Sequence, residues 1–290
     1  MSNTSRPAAI SGLSEIAAHY RFLLCDVWGV VHNGVRGYPA AADALMRFRA
    51  GGGRVVLITN APRPRRQIAE MVERFKVDAS AYDDIVTSGE VARVFLQERP
   101  DARIFHLGPD RDRPIYEGLP NRIVEEAEAD LIACTGLFDD TTETPDDYAD
   151  QLGRLAKRGL PMLCMNPDKV VERGGALIWC AGALADVYDA LGGSTVTIGK
   201  PFAPIYDMAL DRFAKISGAP VDKRLVLAVG DSAPTDLRGA YDQGIDALFV
   251  TGGIHVGEFG EHGGTDAGGV GDFLAASGLG ARNFIDYLKW

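Results

Sequence analysis

The sequence predicts an α/β protein, a doubly wound parallel sheet with a second, smaller α/β unit inserted in it. Three observations carry this expectation. Short β-rich runs alternate with helical patterns toward both ends of the chain, as βαβ units do. The run "RLVLAVGD" (224–231) is almost continuously apolar, as a central parallel strand covered on both faces would be. The middle of the chain breaks this rhythm and holds its own candidate strands and helices.

Taken in order, "FLLCD" (22–26) reads as the first strand and "AAADALMRFRAGGG" (40–53) as a helix stopped by glycines. "RVVLITN" (54–60) is the next strand. "PRRQIAEMVERF" (64–75) is a helix with Pro64 near its start, where a missing N–H does no harm. "DDIVTSG" (83–89) and "EVARVFLQE" (90–98) repeat the strand–helix unit. In the middle, "ARIFHLG", "ADLIACTG", "LPMLCMN" and "ALIWCAG" are candidate strands, and Tyr148, Leu152, Leu155 and Ala156 share one helical face. "TVTIGKP" (195–201) reads as a strand of the main sheet. It leads into a helix with Ile205, Ala209, Phe213 and Ile216 on one face. "RLVLAVGD", the helix "TDLRGAYDQG" and the strand "DALFVTGG" (246–253) follow, and the glycine-rich segment 252–271 reads as a loop. The expected division is a core of 1–98 and 195–290 around an inserted unit of 99–194.

The chain has 290 residues, 46% hydrophobic and 24% charged, with a formal net charge of −10. An acidic chain repels nucleic-acid phosphates and anionic lipid on average, so neither is an expected partner. A small anionic substrate then needs a local cation. The four cysteines (Cys25, Cys134, Cys164, Cys180) form no CxxC pair and sit in apolar runs, which favours buried thiols in a reducing compartment. No apolar stretch reaches membrane-spanning length, and a cytoplasmic location is the default expectation.

Four strand ends draw attention. Asp26 ends the first run, Thr59 and Asn60 the second, Lys200 follows Gly199, and Asp231 follows Gly230. In an open parallel sheet ligands bind outside the carboxyl ends of the strands, so all four groups are expected at one edge. Two carboxylates suit Mg²⁺, a hard oxygen-seeking ion. A lysine and a hydroxyl/amide pair suit phosphoryl oxygens. One aspartate can attack phosphorus. "GSTVTIGK" (193–200) has the wrong spacing for a P-loop, and Pro201 stands where Ser or Thr is needed.

These pieces, with "VVLITNAPR", "TSGEVARVFL", "MNPDKVVERGG", "TVTIGKPFAPIYDMAL" and "VLAVGDSAPTDLRGAYDQG", resemble the haloacid dehalogenase superfamily, specifically the class IIA phosphatases of the NagD-like and 4-nitrophenyl-phosphatase-like type. The resemblance spans nearly the whole chain in the family's motif order. It implies a Rossmannoid core with an inserted α/β cap. It also implies an Mg²⁺-dependent phosphatase of a small phosphorylated metabolite, working through an aspartyl phosphate. Carried over, Asp26 is nucleophile and metal ligand, Trp28 offers the metal its backbone carbonyl, and Asp231 is a further ligand. Thr59, Asn60 and Lys200 hold phosphate, Asp236 supports the Asp231 loop, and a homodimer through the cap is compatible. In "NPDK", Asn166, Asp168 and Lys169 are candidates for substrate specificity in the cap.

The departure is Trp28, which stands where family phosphatases usually carry the aspartate that protonates the leaving group and activates water. Indole has no usable pKa for that work. Trp28 is then a plug or a substrate wall, and His32 just beyond it is a candidate surrogate acid. Slow turnover is the expectation unless another group has taken over. The competing reading is a phosphate-binding or regulatory protein that keeps the metal site without efficient turnover.

Overall fold

The computed structural model describes residues 6–259 and 267–290. His262 of the glycine-rich segment lies outside the described residues. In chain order the strands are β1 (Ala8–Ala9), β2 (Phe22–Asp26), β3 (Arg54–Thr59), β4 (Asp84–Thr87), β5 (Arg103–Leu107), β6 (Arg122–Ile123), β7 (Leu131–Cys134), β8 (Pro161–Cys164), β9 (Val170–Arg173), β10 (Ala176–Trp179), β11 (Ser194–Thr197), β12 (Val226–Gly230), β13 (Asp246–Val250) and β14 (Asn283–Ile285). The helices are α1 (Pro39–Ala50), α2 (Arg65–Arg74), α3 (Ser88–Gln97), α4 (Ala149–Lys157), α5 (Ala181–Ala190), α6 (Ala203–Ser217), α7 (Arg238–Gln243), α8 (Val256–Phe259) and α9 (Ala267–Ala276).

A seven-stranded sheet runs β1-β14-β13-β12-β2-β3-β4, every neighbouring pair parallel. Side chains alternate across it because a strand repeats every two residues. Leu23, Cys25, Val55, Leu57 and Val229 face the layer of α1 and α2, where Leu45, Phe48, Ile68 and Val72 are buried. Phe22, Leu24, Val56, Ile58 and Phe249 face the opposite layer, with Ala92, Leu96, Ile205, Phe213 and Leu274. Burial on both faces is why these strands read as unbroken apolar runs.

From β2 the chain order runs outward in two directions, to β3 and β4 on one side and to β12, β13 and β14 on the other. Strand order reverses between β2 and β12, and the crevice outside their carboxyl ends is where such sheets bind ligands.

A second parallel sheet, β11-β8-β7-β5-β6, carries one face on the common apolar cluster through Ile104, Leu131, Ala133 and Leu163. Its other face packs on α4 and α5 through Leu152, Leu155, Leu184 and Tyr188. Strands β9 and β10 form a separate antiparallel hairpin.

Two expectations are corrected. The run 195–201 is not a strand of the main sheet: β11 pairs with β8, Thr195 opposite Met162, so the second sheet extends to Thr197. A short β-rich run does not encode its partner, and here the partner lies in the insert. The segment 252–271 is not all loop, since α8 lies within it and α9 begins in it. Val270 and Leu274 are buried against the core, and that packing outweighs the glycines' poor helix propensity. All four cysteines are buried and free. Among the described residues no helix is long and apolar enough to cross a membrane.

Candidate active site

The register of the central strands places the charged groups. Cys25 pairs with Val229, so Asp26 at the end of β2 lies level with Gly230, and Asp231 follows one residue beyond. Asp26 is also opposite Ile58 in β3, which puts Thr59 and Asn60 on its other flank. Asp26, Asp231 and Asp236 bring carboxylate oxygens within 4.8 Å of one another, all three residues buried.

Lys200 enters this cluster from the segment after β11. Its Nζ lies 2.5 Å from Asp26 Oδ1 and 2.7 Å from Asp236 Oδ1, and only 3% of its side chain is exposed. Asn60 fixes the lysine's backbone: its Oδ1 accepts from Lys200 N at 2.7 Å and its Nδ2 donates to Lys200 O at 3.2 Å. That same Nδ2 donates to Asp168 Oδ1 at 2.9 Å. The Asn60 side chain thus braces Lys200 and Asp168 at the edge of the cleft it lines. Thr59 Oγ1 accepts from Ala61 N at 3.2 Å and lines the cleft.

Asp231 is held by backbone. Ile254 N donates to its Oδ2 at 2.7 Å. A Cβ on Gly29 or on Gly253 would fall 2.0 Å from that oxygen, so both positions need glycine for the chain to pass so close. His255 Nε2 accepts from Ala233 N at 3.2 Å, and Ser232 N donates to Asp236 Oδ2 at 3.1 Å, which ties the loop after β12 into one turn. Sequence reasoning missed Gly29, Gly253 and Ile254, because no local pattern says which carboxylate a distant glycine will face.

Charge is out of balance here, three buried carboxylates against one ammonium. Burial pushes the Asp26 carboxyl well above the usual carboxylate range, against the pull of Lys200. Burial and the neighbouring Asp236 push Asp231 up to about 7. Burial disfavours the Lys200 ammonium, yet Asp236, Asp26 and Asp168 outweigh it and hold its pKa well above the ordinary value. A buried cluster with this excess of negative charge and oxygen donors suits a divalent cation.

Comparisons with known proteins give the family. Residues 23–119 match the haloacid dehalogenase-like hydrolase family, and residues 197–268 match a second HAD-hydrolase-like family. The crystal structure of a haloacid dehalogenase-like hydrolase from Brucella suis is 43% identical to this chain, covers 96% of it and 99% of itself, and superposes with a TM-score of 0.87. The chain belongs to the haloacid dehalogenase-like hydrolase family. This hydrolase is also similar to the 5'-nucleotidase YutF of Bacillus subtilis, 26% identical over 81% of this chain and 88% of the relative. It is 25% identical to the D-glycerol 3-phosphate phosphatase of Mycobacterium tuberculosis over 84% of this chain and 66% of that protein.

The remaining candidate residues of this haloacid dehalogenase-like hydrolase fall in different places. Trp28 forms a wall between two adjoining clefts of about 550 and 710 Å³ and lines both. Its Nε1 donates to Glu172 O in the β9–β10 hairpin at 2.6 Å. His32 does not line either cleft. It is fully buried behind the indole, stacked on Phe75 at 4.4 Å, with Nδ1 accepting from Gly34 N at 2.9 Å. Burial lowers its pKa to about 4, so it is neutral, and the N–H of a neutral imidazole is too weak an acid to protonate a leaving group. Asn166 lines the larger cleft, and its Oδ1 accepts from Asp168 N at 3.1 Å. Lys169 turns outward to an exposed ion pair with Asp186 at 2.5 Å and lines neither cleft.

Proposed function

We propose that this hydrolase is an Mg²⁺-dependent phosphatase of a small phosphorylated metabolite, working through an aspartyl phosphate on Asp26. The observation that carries the reading is the contact of Asp26 with Lys200 beside Asp231 and Asp236, at the carboxyl edge where strand order reverses. The relatives' names, a nucleotidase and a glycerol phosphate phosphatase, support phosphate monoesters as the substrate class. On this reading the seven-stranded sheet and its helices act as the core domain, and the insert, with β11 as the edge strand of its sheet, acts as a cap that selects the substrate.

The donor set fits the cation: Asp26, Asp231 and the backbone carbonyl of Trp28 would hold it, with Asp236 behind them. When bound, it supplies positive charge to a phosphoryl group and offsets the repulsion among the carboxylates. Asp26 presents one oxygen to phosphorus while Lys200 balances charge on nucleophile and phosphoryl group. The Thr59 hydroxyl, at the rim of the same cleft, donates to a phosphoryl oxygen. Asn60 keeps Lys200 in place, so the ammonium is aligned before substrate arrives.

The test is phosphate release from an activated aryl phosphate with and without Mg²⁺, with acid-quenched mass spectrometry of the Asp26 peptide. Metal-dependent release with a trapped phosphoaspartate supports the reading. Absence of both turnover and phosphoenzyme would replace it with the phosphate-binding protein.

A further inference from the structure

Trp28 leaves the reaction without its usual proton donor, and His32 is neutral behind the indole. We propose that Asp168, from the loop after β8, is the general acid that protonates the leaving oxygen and the general base that then activates water. This inference rests on the phosphatase reading above. Three geometric observations carry it.

First, Asp168 lines both clefts. Asp26 and Lys200 line the smaller one, where the phosphoryl group would lie, and the larger one continues past Trp28 among Arg63, Met71 and Trp179. An ester whose phosphoryl group is in the first cleft and whose organic body is in the second has its bridging oxygen at their junction. Asp168 is the carboxylic acid common to the two linings. Second, its carboxyl is held: Oδ1 accepts from Asn60 Nδ2, the amide that also braces Lys200, while among the described residues no hydrogen bond reaches Oδ2. A run of direct contacts, Asp26 to Lys200 to Asn60 to Asp168, fixes the acid relative to the nucleophile. Third, the other proton-bearing groups of the smaller cleft are misplaced or unsuited. Glu172 and Tyr38 line the smaller cleft and not the larger, so neither is at that junction, and burial together with Tyr287 and Glu172 pushes the Tyr38 phenol up to about 12, a poor proton donor near neutral pH.

The surroundings favour a protonated carboxyl. Burial raises the Asp168 pKa, Lys200 and the Asn60 hydrogen bond oppose the rise, and Asp236 adds to it, with a net upward shift. In the first half-reaction Asp26 forms a bond to phosphorus while the ester P–O bond breaks. That bond's electron pair stays on the leaving oxygen, which takes the Asp168 proton and departs as an alcohol. In the second, Asp168 carboxylate takes a proton from water as the water oxygen bonds phosphorus. The bond from phosphorus to Asp26 breaks, its electron pair returns to the Asp26 carboxylate, and inorganic phosphate leaves with Asp168 protonated again.

The experiment compares the Mg²⁺-loaded wild-type protein with Asp168→Asn across esters of graded leaving-group acidity, from alkyl phosphates to dinitrophenyl phosphate. The variant keeps an oxygen that can accept from Asn60. General acid–base catalysis is worth about 10²–10⁴-fold. The expected result is a loss of that size on alkyl esters. On dinitrophenyl phosphate the first half-reaction, read as the phosphoenzyme burst, is nearly unchanged, and phosphoaspartate accumulates because no base activates water. Wild-type rates should depend only weakly on the leaving group. An equal loss on all esters without accumulation overturns the proposal in favour of a positioning role. A steep leaving-group dependence in the wild type overturns it without any variant, so a poorly folding Asp168→Asn does not shield it. A wild type with neither turnover nor phosphoenzyme removes the phosphatase reading itself, whereas active wild type with an indifferent Asp168→Asn removes only the role of Asp168.

Discussion

Burial decides what the ionisable side chains near the site can do. His32 is neutral in the folded protein, with a pKa of about 4 against an ordinary 6.5. The unfolded chain therefore takes up the proton first. This part of the stability is complete above about pH 6.5 and is lost as pH falls toward 4. The shift corresponds to about 3 kcal/mol in total, of which about 2 kcal/mol disappears between pH 7 and pH 5. His32→Asn, whose Oδ1 can take the place of Nδ1 in accepting from Gly34 N, should start less stable but show a pH profile flatter by about that amount. Urea denaturation at pH 7, 6 and 5 checks it, and parallel profiles would contradict the neutral buried ring. Asp26→Asn should lower turnover by ~10³-fold or more and leave no phosphoenzyme, since an amide oxygen is a poor nucleophile. Mass spectrometry of the quenched protein reads both states directly.

At the scale of elements, the site is built from loops that touch only because strands elsewhere set their height. The indole of Trp28 joins the loop after β2 to the β9–β10 hairpin across 144 residues of sequence. Trp28→Phe keeps an aromatic wall and deletes the donor. It should cost about 1 kcal/mol of stability and speed hydrogen exchange across 170–179 while the amides of β2 exchange as before. Equal protection in the hairpin would mean that the tether contributes nothing. The loop after β13 acts on Asp231 from the other side. A Cβ at Gly253 would meet Asp231 Oδ2 at 2.0 Å, so Gly253→Ala has to displace the carboxylate. We expect Mg²⁺ affinity to fall by ~10-fold or more in calorimetry with the fold retained. Unchanged affinity would show that Asp231 is not a ligand.

For the whole molecule, the proposed cation site predicts that stability depends on the cation. A ligand at about 100 times its Kd stabilises a protein by about 2.7 kcal/mol. In a chain of this size that raises Tm by roughly 5 °C or more. Chelation should reverse the rise. Asp231→Asn should abolish the metal-induced shift and raise the Tm of the metal-free protein, because it removes one of the buried charges that repel one another. A metal-independent Tm in the wild type would argue against cation binding at this edge.

The sequence by itself determined the class of fold and several of the side chains that meet at the edge of the main sheet. Strands β2, β3, β12 and β13 are covered on both faces, so their composition alone marks them. Helices α4 and α6 show their buried faces in the spacing of Leu152 and Leu155, with Tyr148 just ahead of α4, and of Ile205, Ala209 and Phe213. Asp26, Thr59 and Asp231 were legible because strand ends in a parallel sheet point one way. What depends on partners far along the chain was decided only in three dimensions. Strand β11 joined the second sheet, α9 formed from a glycine-rich run, the Asn60 side chain found Lys200 and Asp168, and His32 was buried out of reach of both clefts. Asp168 arrived at the junction of those clefts. The physical reason is the same in each case. Periodicity is a property of a local stretch, whereas sheet membership, burial and the direction of a hydrogen bond belong to contacts that exist only after the chain has closed on itself.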